Sequence, residues 1–281
     1  MKTSCIALLS TLLLLSCAKK IKQQDDEIYS RHLQAHVKLN IITTPIPDDK
    51  SDINLLLMND GQDFSPLRIK MIIDSLYNKK AITSLVVVGI TAPDRIKDYG
   101  VYGIPDYQGN GDKADKYADF IINELYPYAK KKAGVRKFKS IAIAGCSLGG
   151  LSAFDIAWDN GDKINKVGVF SGSFWWRSKD ANAADYNDST DRILLSKIRS
   201  SRKKPHLQYW LYAGGKEETA DRDKDGITDV VDDTKDLVNI LKNKTMVSPS
   251  DITYTEDANG IHDYISWSNH FGDFLKWAFP K

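Results

Sequence analysis

Short β-type runs recur along this 281-residue chain, several of them nearly continuous Val, Ile and Leu, at 37–42, 53–58 (INLLLM), 84–90 (SLVVVGI), 140–144 (SIAIA), 166–170 (KVGVF), 207–213 (LQYWLYA) and 251–256. A strand that is apolar on both sides cannot leave either face in water, so runs of this kind belong to a parallel sheet covered by helices. Between them, residues 65–79, 114–133, 148–159, 190–199, 234–244 and 262–278 have the spacing of helices. Tyr117, Ile121, Leu125 and Tyr128 fall at i, i+4, i+8 and i+11, which aligns one face. The alternation predicts an α/β fold, a single domain with a mostly parallel central sheet flanked by crossover helices. The segment 32–42 is expected to begin an antiparallel edge.

The first 16 residues stand apart from that pattern. Met1-Lys2-Thr3 is a short basic start, and 6–15 (IALLSTLLLL) is an aliphatic core too short for a helix that spans a bilayer, which needs about 20 apolar residues. Its length suits a signal peptide. It ends in Leu14-Leu15-Ser16-Cys17, which resembles the lipobox of bacterial lipoprotein signals, where the Cys thiol receives the lipid. Cys17 is therefore the expected lipidation site, and the bacterial cell envelope the expected location, with a membrane anchor at the N-terminus. Of three cysteines, Cys5 leaves with the signal and Cys146 remains alone, so the domain is expected to lack a disulfide. Residues 17–28 are polar and without periodicity, and are expected to form a flexible tether before a domain over 29–281. Lys and Arg number 39 against 37 Asp and Glu, a balance that argues against a nucleic-acid partner. A monomer is expected.

The most informative stretch joins the run at 140–144 to the helix at 148–159. It contains Gly145-Cys146-Ser147-Leu148-Gly149, a G-x-S-x-G pattern between a buried strand and a helix. A serine there occupies a sharp turn, and the small residues on either side relieve the crowding. Ser147 is the candidate nucleophile, and the N–H of Leu148 at the helix start is a candidate oxyanion donor. Cys146 reads as a packing residue, since no basic neighbour lowers its pKa.

A hydroxyl needs a base. Of five histidines, His32 and His36 precede Ser147, and His206 opens a strand at the wrong end of a parallel sheet. His270 falls inside the last helix. His262 follows a strand and the loop Asp257–Ile261, and is the candidate base. The orienting acid is expected after the run at 207–213, in Gly214-Gly215-Lys216-Glu217-Glu218. Glu217 is the first choice, with Glu218 and Asp221 as alternatives. A second oxyanion donor is expected from the N–H of Gln62, because Asp60-Gly61 lets the backbone turn after the strand at 53–58.

Five landmarks in order, Met58-Asn-Asp-Gly-Gln62, Gly145-Cys-Ser-Leu-Gly-Gly150, Phe170-Ser-Gly-Ser-Phe-Trp-Trp176, Ala213-Gly-Gly-Lys-Glu217 and Gly260-Ile-His262, cover about residues 37–279. On these the chain resembles the α/β-hydrolase esterase family of enterochelin esterase, esterase D and the feruloyl and acetyl-xylan esterase domains. The resemblance implies an α/β-hydrolase fold and ester hydrolysis through an acyl-enzyme, with Ser147, Glu217 and His262 in the catalytic positions. It also implies a small-molecule or glycan ester as substrate, of polysaccharide acyl, feruloyl or siderophore type. Family members near enterochelin esterase carry Arg-x-x-Glu-Tyr, where this chain has Arg95-Ile-Lys-Asp98-Tyr99, shorter by one methylene at the acid. Arg95 is thus a candidate substrate contact. Trp175 and Trp176 are candidates for an aromatic wall, one of the pair being expected in the core.

One motif lies outside this scheme. Residues 221–232 place Asp221, Asp223, Asp225, Asp229 and Asp232 at positions 1, 3, 5, 9 and 12, with Gly226 at 6 and the carbonyl of Ile227 at 7. That is the ligand spacing of an EF-hand-type calcium loop, here without a preceding helix. A structural Ca2+ is the expectation, and no cofactor is expected in the chemistry. Two other function classes use the same residues, acyl transfer on the same triad and a non-catalytic surface binding protein that keeps the hydrolase fold.

Overall fold

A computed structural model of the chain describes residues 20–203, 205–244 and 247–281. The signal-type segment and Cys17 lie outside them. Eight strands form one sheet: β1 (Lys22–Ser30), β2 (Ala35–Thr43), β3 (Asn54–Asn59), β4 (Leu85–Thr91), β5 (Ile141–Cys146), β6 (Lys166–Phe170), β7 (Gln208–Gly214) and β8 (Ile252–Asp257). Their order is β1-β2-β4-β3-β5-β6-β7-β8. β1 pairs with β2 and β2 with β4 in antiparallel register, and every other pairing is parallel. The sheet is therefore mostly parallel with an antiparallel edge.

Burial follows from the sequence runs. All six residues of β3 and all six of β5 are buried. Alternate side chains serve opposite faces, as the strand period requires. Leu55, Leu57, Val86, Val88 and Ile143 join Tyr117, Phe120, Phe154 and Trp158 in one core layer. Leu56, Met58, Val87, Ala142 and Ala144 join Ile69, Ile73, Phe271 and Phe274 in the other. Helices α1 (Ile69–Asn78) and α9 (Tyr264–Ala278) cover the second face. The first face carries α3 (Ala114–Phe120), α4 (Tyr126–Ala133), α5 (Leu148–Asp159), α7 (Ile193–Ser200) and α8 (Asp229–Lys242). Two single turns, α2 (Arg95–Asp98) and α6 (Asp188–Asp191), lie in the connections. No helix among the described residues is long and apolar enough to cross a membrane.

Three elements differ from expectation, each for a physical reason. Lys22–Glu27, expected in a flexible tether, belong to β1. Their backbone pairs with β2, Asn40 bridges Gln23 and Asp25, and Asp26 accepts from Tyr128 and Lys132 of α4. An edge strand with one wet face needs no apolar run, so composition hides it. The helix expected at 114–133 is interrupted by a π turn over Ile121–Leu125, where Tyr126 N–H donates to Ile121 O. Pro127 follows at once; it lacks an N–H and crowds the carbonyl four residues back, which displaces the ladder. Helix α8 begins at Asp229 rather than 234, because Glu218 Oε1 accepts from the Val230 N–H at 2.7 Å and satisfies its first turn.

Candidate active site

Ser147 sits between β5 and α5 with φ 54° and ψ −125°, a left-handed-side conformation that a non-glycine residue adopts only when its surroundings hold it. Here they do. Its N–H donates to Phe170 O at 2.8 Å, and its carbonyl accepts from Gly150, Leu151 and Ser173. Gly145 is required by contact, since a Cβ there would lie 2.3 Å from Gly149 O. Ser147 Oγ is 3.4 Å from Ser173 Oγ, a hydroxyl on the loop after β6. Leu148, first residue of α5, has no intrahelical partner for its N–H. Burial pushes the Cys146 thiol up, in keeping with a packing role.

Glu217 follows β7 and His262 follows β8, and their side chains meet: His262 Nδ1 is 2.7 Å from Glu217 Oε2. The carboxylate is 1% exposed and the imidazole 40%. Glu217 Oε1 accepts from Ser171 Oγ and from the Gly214 N–H. Ser171 Oγ in turn accepts from Trp267 Nε1 at 2.8 Å, and the Trp267 ring stands edge-on to His262 with centroids 5.0 Å apart. His262 lies just ahead of α9, whose start is capped by Asp263 through the Ser266 N–H. The alternatives for the acid are engaged elsewhere. Glu218 caps α8, and Asp221 accepts from the Asp225 and Gly226 N–H groups of its own loop. His270 packs on Tyr212 and pairs with Asp257.

On the other side of Ser147, β3 ends in Asn59 and Asp60. Asn59 Nδ2 donates to Gly149 O at 2.7 Å, and Asn59 Oδ1 accepts from Tyr117 OH at 2.7 Å. Asp60 takes φ 60°, so the left-handed residue of the Asp-Gly turn is the aspartate. Gly61 is needed for space, since a Cβ there would come within 2.4 Å of the Gly89 carbonyl carbon. Gln62 is the second residue of the 3-10 turn Gly61–Phe64, a position whose N–H has no partner within the turn. The Asp60 N–H donates to Tyr99 OH. Arg95 meets the buried Asp60 carboxylate through two nitrogens, at 2.8 and 3.0 Å. Burial alone would lower the Arg95 pKa; the hydrogen bond and charge of Asp60 outweigh it and raise it. Burial, then the charge of Asp60, pushes the nearby Asp63 carboxyl up.

The two tryptophans separate. Trp175 is 38% exposed, while Trp176 is 1% exposed and packs beside Gly100 and Gly111. Trp176 is a core residue, which removes it from the candidate substrate contacts. In the acidic loop, ligand oxygens of Asp221, Asp223 and Asp225 lie within 4.8 Å of one another. Asp229 faces Arg222: its two oxygens accept from the Arg222 backbone N–H and Nη1, so a guanidinium competes with any ion for that carboxylate. Asp232 lies in the first turn of α8, its carboxyl pushed up by burial and then by the charges of Asp225 and Asp223.

Residues 30–278 match the model of the family described as "Putative esterase". The chain belongs to this esterase family. No curated protein matches the sequence. Among solved structures, enterochelin esterase from Shigella flexneri superposes with a TM-score of 0.70 at 20% identity, over 93% of this chain and 59% of that one. A ferulic acid esterase gives 0.67 at 16%, covering 92% and 98% of the two chains. The siderophore hydrolase EstB from Aspergillus nidulans gives 0.66 at 16%, covering 99% of each. At these identities the likeness is one of fold, and the chain spans about 60% of the length of the Shigella esterases it matches. Within this esterase family member, residues that the sequence patterns passed over are Ser171, Ser173, Trp267, Asn59 and Tyr99. A signal existed for the first two, a Ser-Gly-Ser at the carboxyl end of a buried strand, next to the strand that ends in Ser147.

Proposed function

We propose that the protein is a serine carboxylic ester hydrolase working through an acyl-enzyme. The observation that carries this reading is the 2.7 Å contact between His262 Nδ1 and a buried Glu217, after β7 and β8 at the same carboxyl edge of the sheet as the constrained turn of Ser147 after β5. A neutral imidazole whose Nδ1–H donates to a carboxylate has its Nε2 lone pair free to accept a proton. In this mechanism His262 takes the Ser147 hydroxyl proton as Oγ attacks the ester carbonyl. The Leu148 and Gln62 N–H groups receive the oxyanion, and His262 returns the proton to the leaving alcohol. Water then repeats the sequence on the acyl-enzyme and restores Ser147. The buried Glu217 carboxylate stabilises the imidazolium in both halves.

The substrate we propose is an envelope-accessible ester with an aromatic or apolar acyl part, of the kind named for the enterobactin and ferulic acid esterases of the same fold. Exposed apolar side chains support it. Ile104, Tyr107, Trp175 and Ile261 lie in segments that follow the carboxyl ends of β4, β6 and β8, and Ile265 lies in the first turn of α9, which follows the carboxyl end of β8. Arg95, exposed on one side and held by Asp60 on the other, offers a cation to an anionic substituent. A lipid anchor at Cys17 and a structural Ca2+ at Asp221, Asp223 and Asp225 with Asp232 complete the proposal; a Cys17→Ala protein that still fractionates with membranes removes the anchor. The main test is hydrolysis of p-nitrophenyl, feruloyl and catechoyl esters by the wild type and Ser147→Ala. Loss of at least 1,000-fold in kcat, on the order expected when a triad nucleophile is removed, supports it. Undiminished hydrolysis by Ser147→Ala refutes it.

A further inference from the structure

Ser171 is 1% exposed, and the environment of its hydroxyl leaves the proton one place to go. It stands immediately after β6 with φ 52°, so two consecutive parallel strands end in a serine of positive φ, Ser147 and Ser171. Its N–H donates to Tyr212 O at 2.9 Å, which straps the turn across β7. The side chain is thereby aimed along the strand ends toward Glu217. There it meets two partners of opposite kind. Trp267 Nε1 is a donor only, and it donates to Ser171 Oγ at 2.8 Å. Glu217 Oε1 is an acceptor. With its oxygen engaged by the indole, the Ser171 hydroxyl points its own hydrogen at the carboxylate.

We infer that Ser171 and Trp267 are positioning residues that hold Glu217 in the orientation facing His262. The inference rests on the serine esterase reading and adds to it what keeps the acid in place. A carboxylate on one side-chain torsion can swing both oxygens, and a single contact to His262 would leave that torsion free. Ser171 Oγ and the Gly214 N–H hold Oε1, so Oε2 is left directed at Nδ1. Hydrogen bonds to an ionised acceptor are the strong class, and in a nearly dry site they offset the cost of burying the charge. Trp267 works twice, since its N–H orders Ser171 while its ring edge limits the imidazole from the side. Both arms converge on the Glu217–His262 contact from two separate elements, the turn after β6 and helix α9.

The test is a cycle of variants in the full protein. Ser171→Ala is expected to lower kcat about 10- to 100-fold with KM within about twofold, the scale of one lost bond to a charged group. Trp267→Phe, which keeps a ring against His262, is expected to lower kcat by several-fold. In a Glu217→Ala background Ser171→Ala is expected to change kcat by less than about twofold, because a residue acting through Glu217 is silent once Glu217 is gone. Equal losses in both backgrounds would overturn the inference while leaving Ser147 as nucleophile, whereas an active Ser147→Ala overturns the underlying reading instead. A second readout needs no substrate: the His262 Nδ1 proton, observed by NMR, is expected to exchange with water at least about tenfold faster in both variants. Exchange at the wild-type rate in folded Ser171→Ala and Trp267→Phe, with unchanged melting temperature, also overturns it.

Discussion

Glu217→Gln is the sharpest perturbation the geometry offers, because it replaces one carboxylate oxygen by an NH2 group and removes the charge without changing shape. Glu217 has two donors at Oε1, Ser171 Oγ and the Gly214 N–H, and one imidazole at Oε2. An amide has one acceptor and one donor end. The two donors draw the amide oxygen to the Oε1 position, which places the NH2 against His262 Nδ1. Nδ1 must then accept, the ring proton moves to Nε2, and the nitrogen that should receive the Ser147 proton is blocked. Recovering the working tautomer requires turning the amide over, which sets its NH2 against the donors at the other end. Each such buried hydrogen bond left unmade costs about 1–3 kcal/mol. With two lost and the imidazolium without its counter-charge, the penalty is about 4–5.5 kcal/mol, or roughly 1,000- to 10,000-fold in kcat. KM is expected to stay within about threefold, since Glu217 touches no substrate in this mechanism. Glu217→Ala has no amide to impose a tautomer and is expected to retain about tenfold more activity than Glu217→Gln. The assay is steady-state hydrolysis of a p-nitrophenyl ester, with melting temperature as the control for folding. A folded Glu217→Gln within tenfold of wild-type kcat, or one more active than Glu217→Ala, would refute the reasoning.

Two stability predictions come from other parts of the fold. Lys132, then Tyr128, holds the Asp26 carboxyl at a pKa of about 2, down from 3.8, and a depressed carboxyl stabilises the fold above its unfolded value. Asp26→Asn is therefore expected to be less stable than wild type at neutral pH. The difference should fade as the pH falls from about 4 to about 2, and a pH-independent difference in urea titrations contradicts the pairing of β1 with α4. Lys197 Nζ bonds Asp155, which is 2% exposed and among the described residues otherwise accepts only from the Tyr102 N–H. Lys197→Met strands that carboxylate and is expected to cost about 3 kcal/mol, with Asp155→Asn in the same chain recovering part of it. A loss under 1 kcal/mol on urea denaturation would show that water replaces the lysine, against that expectation.

How much of this was legible depended on where apolar burial left a trace. The seven runs correspond to β2 through β8; β3 to β7 are buried on both faces, whereas β2 and β8 are only partly covered and are marked by their β-branched and aromatic residues. The turns after β5, β7 and β8 carry Ser147, Glu217 and His262 to one edge of the sheet, an arrangement that strand direction alone dictates. β1 left no trace because its pairing is made by backbone and polar side chains. Trp175 and Trp176 are equivalent in sequence, and only packing against the segment 99–111 decides which is buried. The Ser171–Trp267 link joins residues 96 positions apart, and no local pattern records a contact of that span. The contacts of Glu218 and Arg222 are equally hidden from local pattern. Their partners, Val230 and the carboxylates of Asp188, Asp229 and Asp233, become visible only once α8 is in place.

Those last contacts decide what calcium can and cannot do for the proposed site. The segment after Glu217 is already fixed by the protein itself. Glu218 caps α8, the Asp229 N–H donates to Ala220 O, and Arg222 reaches Asp188, Asp229 and Asp233. An ion in this loop has Asp221, Asp223 and Asp225, with Asp232 nearby, and must compete with the Arg222 N–H and guanidinium for the oxygens of its ninth-position ligand, Asp229. A site so reduced, with a guanidinium close by, belongs with the weak extracellular class, with a Kd of about 1 mM. At tenfold excess over that Kd the fold gains about 1.4 kcal/mol, or about 3–5 °C in melting temperature for a domain of this size. The same ion should leave kcat unchanged, because nothing it holds bears on Glu217. Melting curves and initial rates in calcium and in EDTA separate the cases. A rise in melting temperature with constant kcat agrees with the argument. Loss of kcat in EDTA would mean the ion, not Arg222 and Glu218, holds the acid in place, and no thermal shift at millimolar calcium would return the loop to solvent.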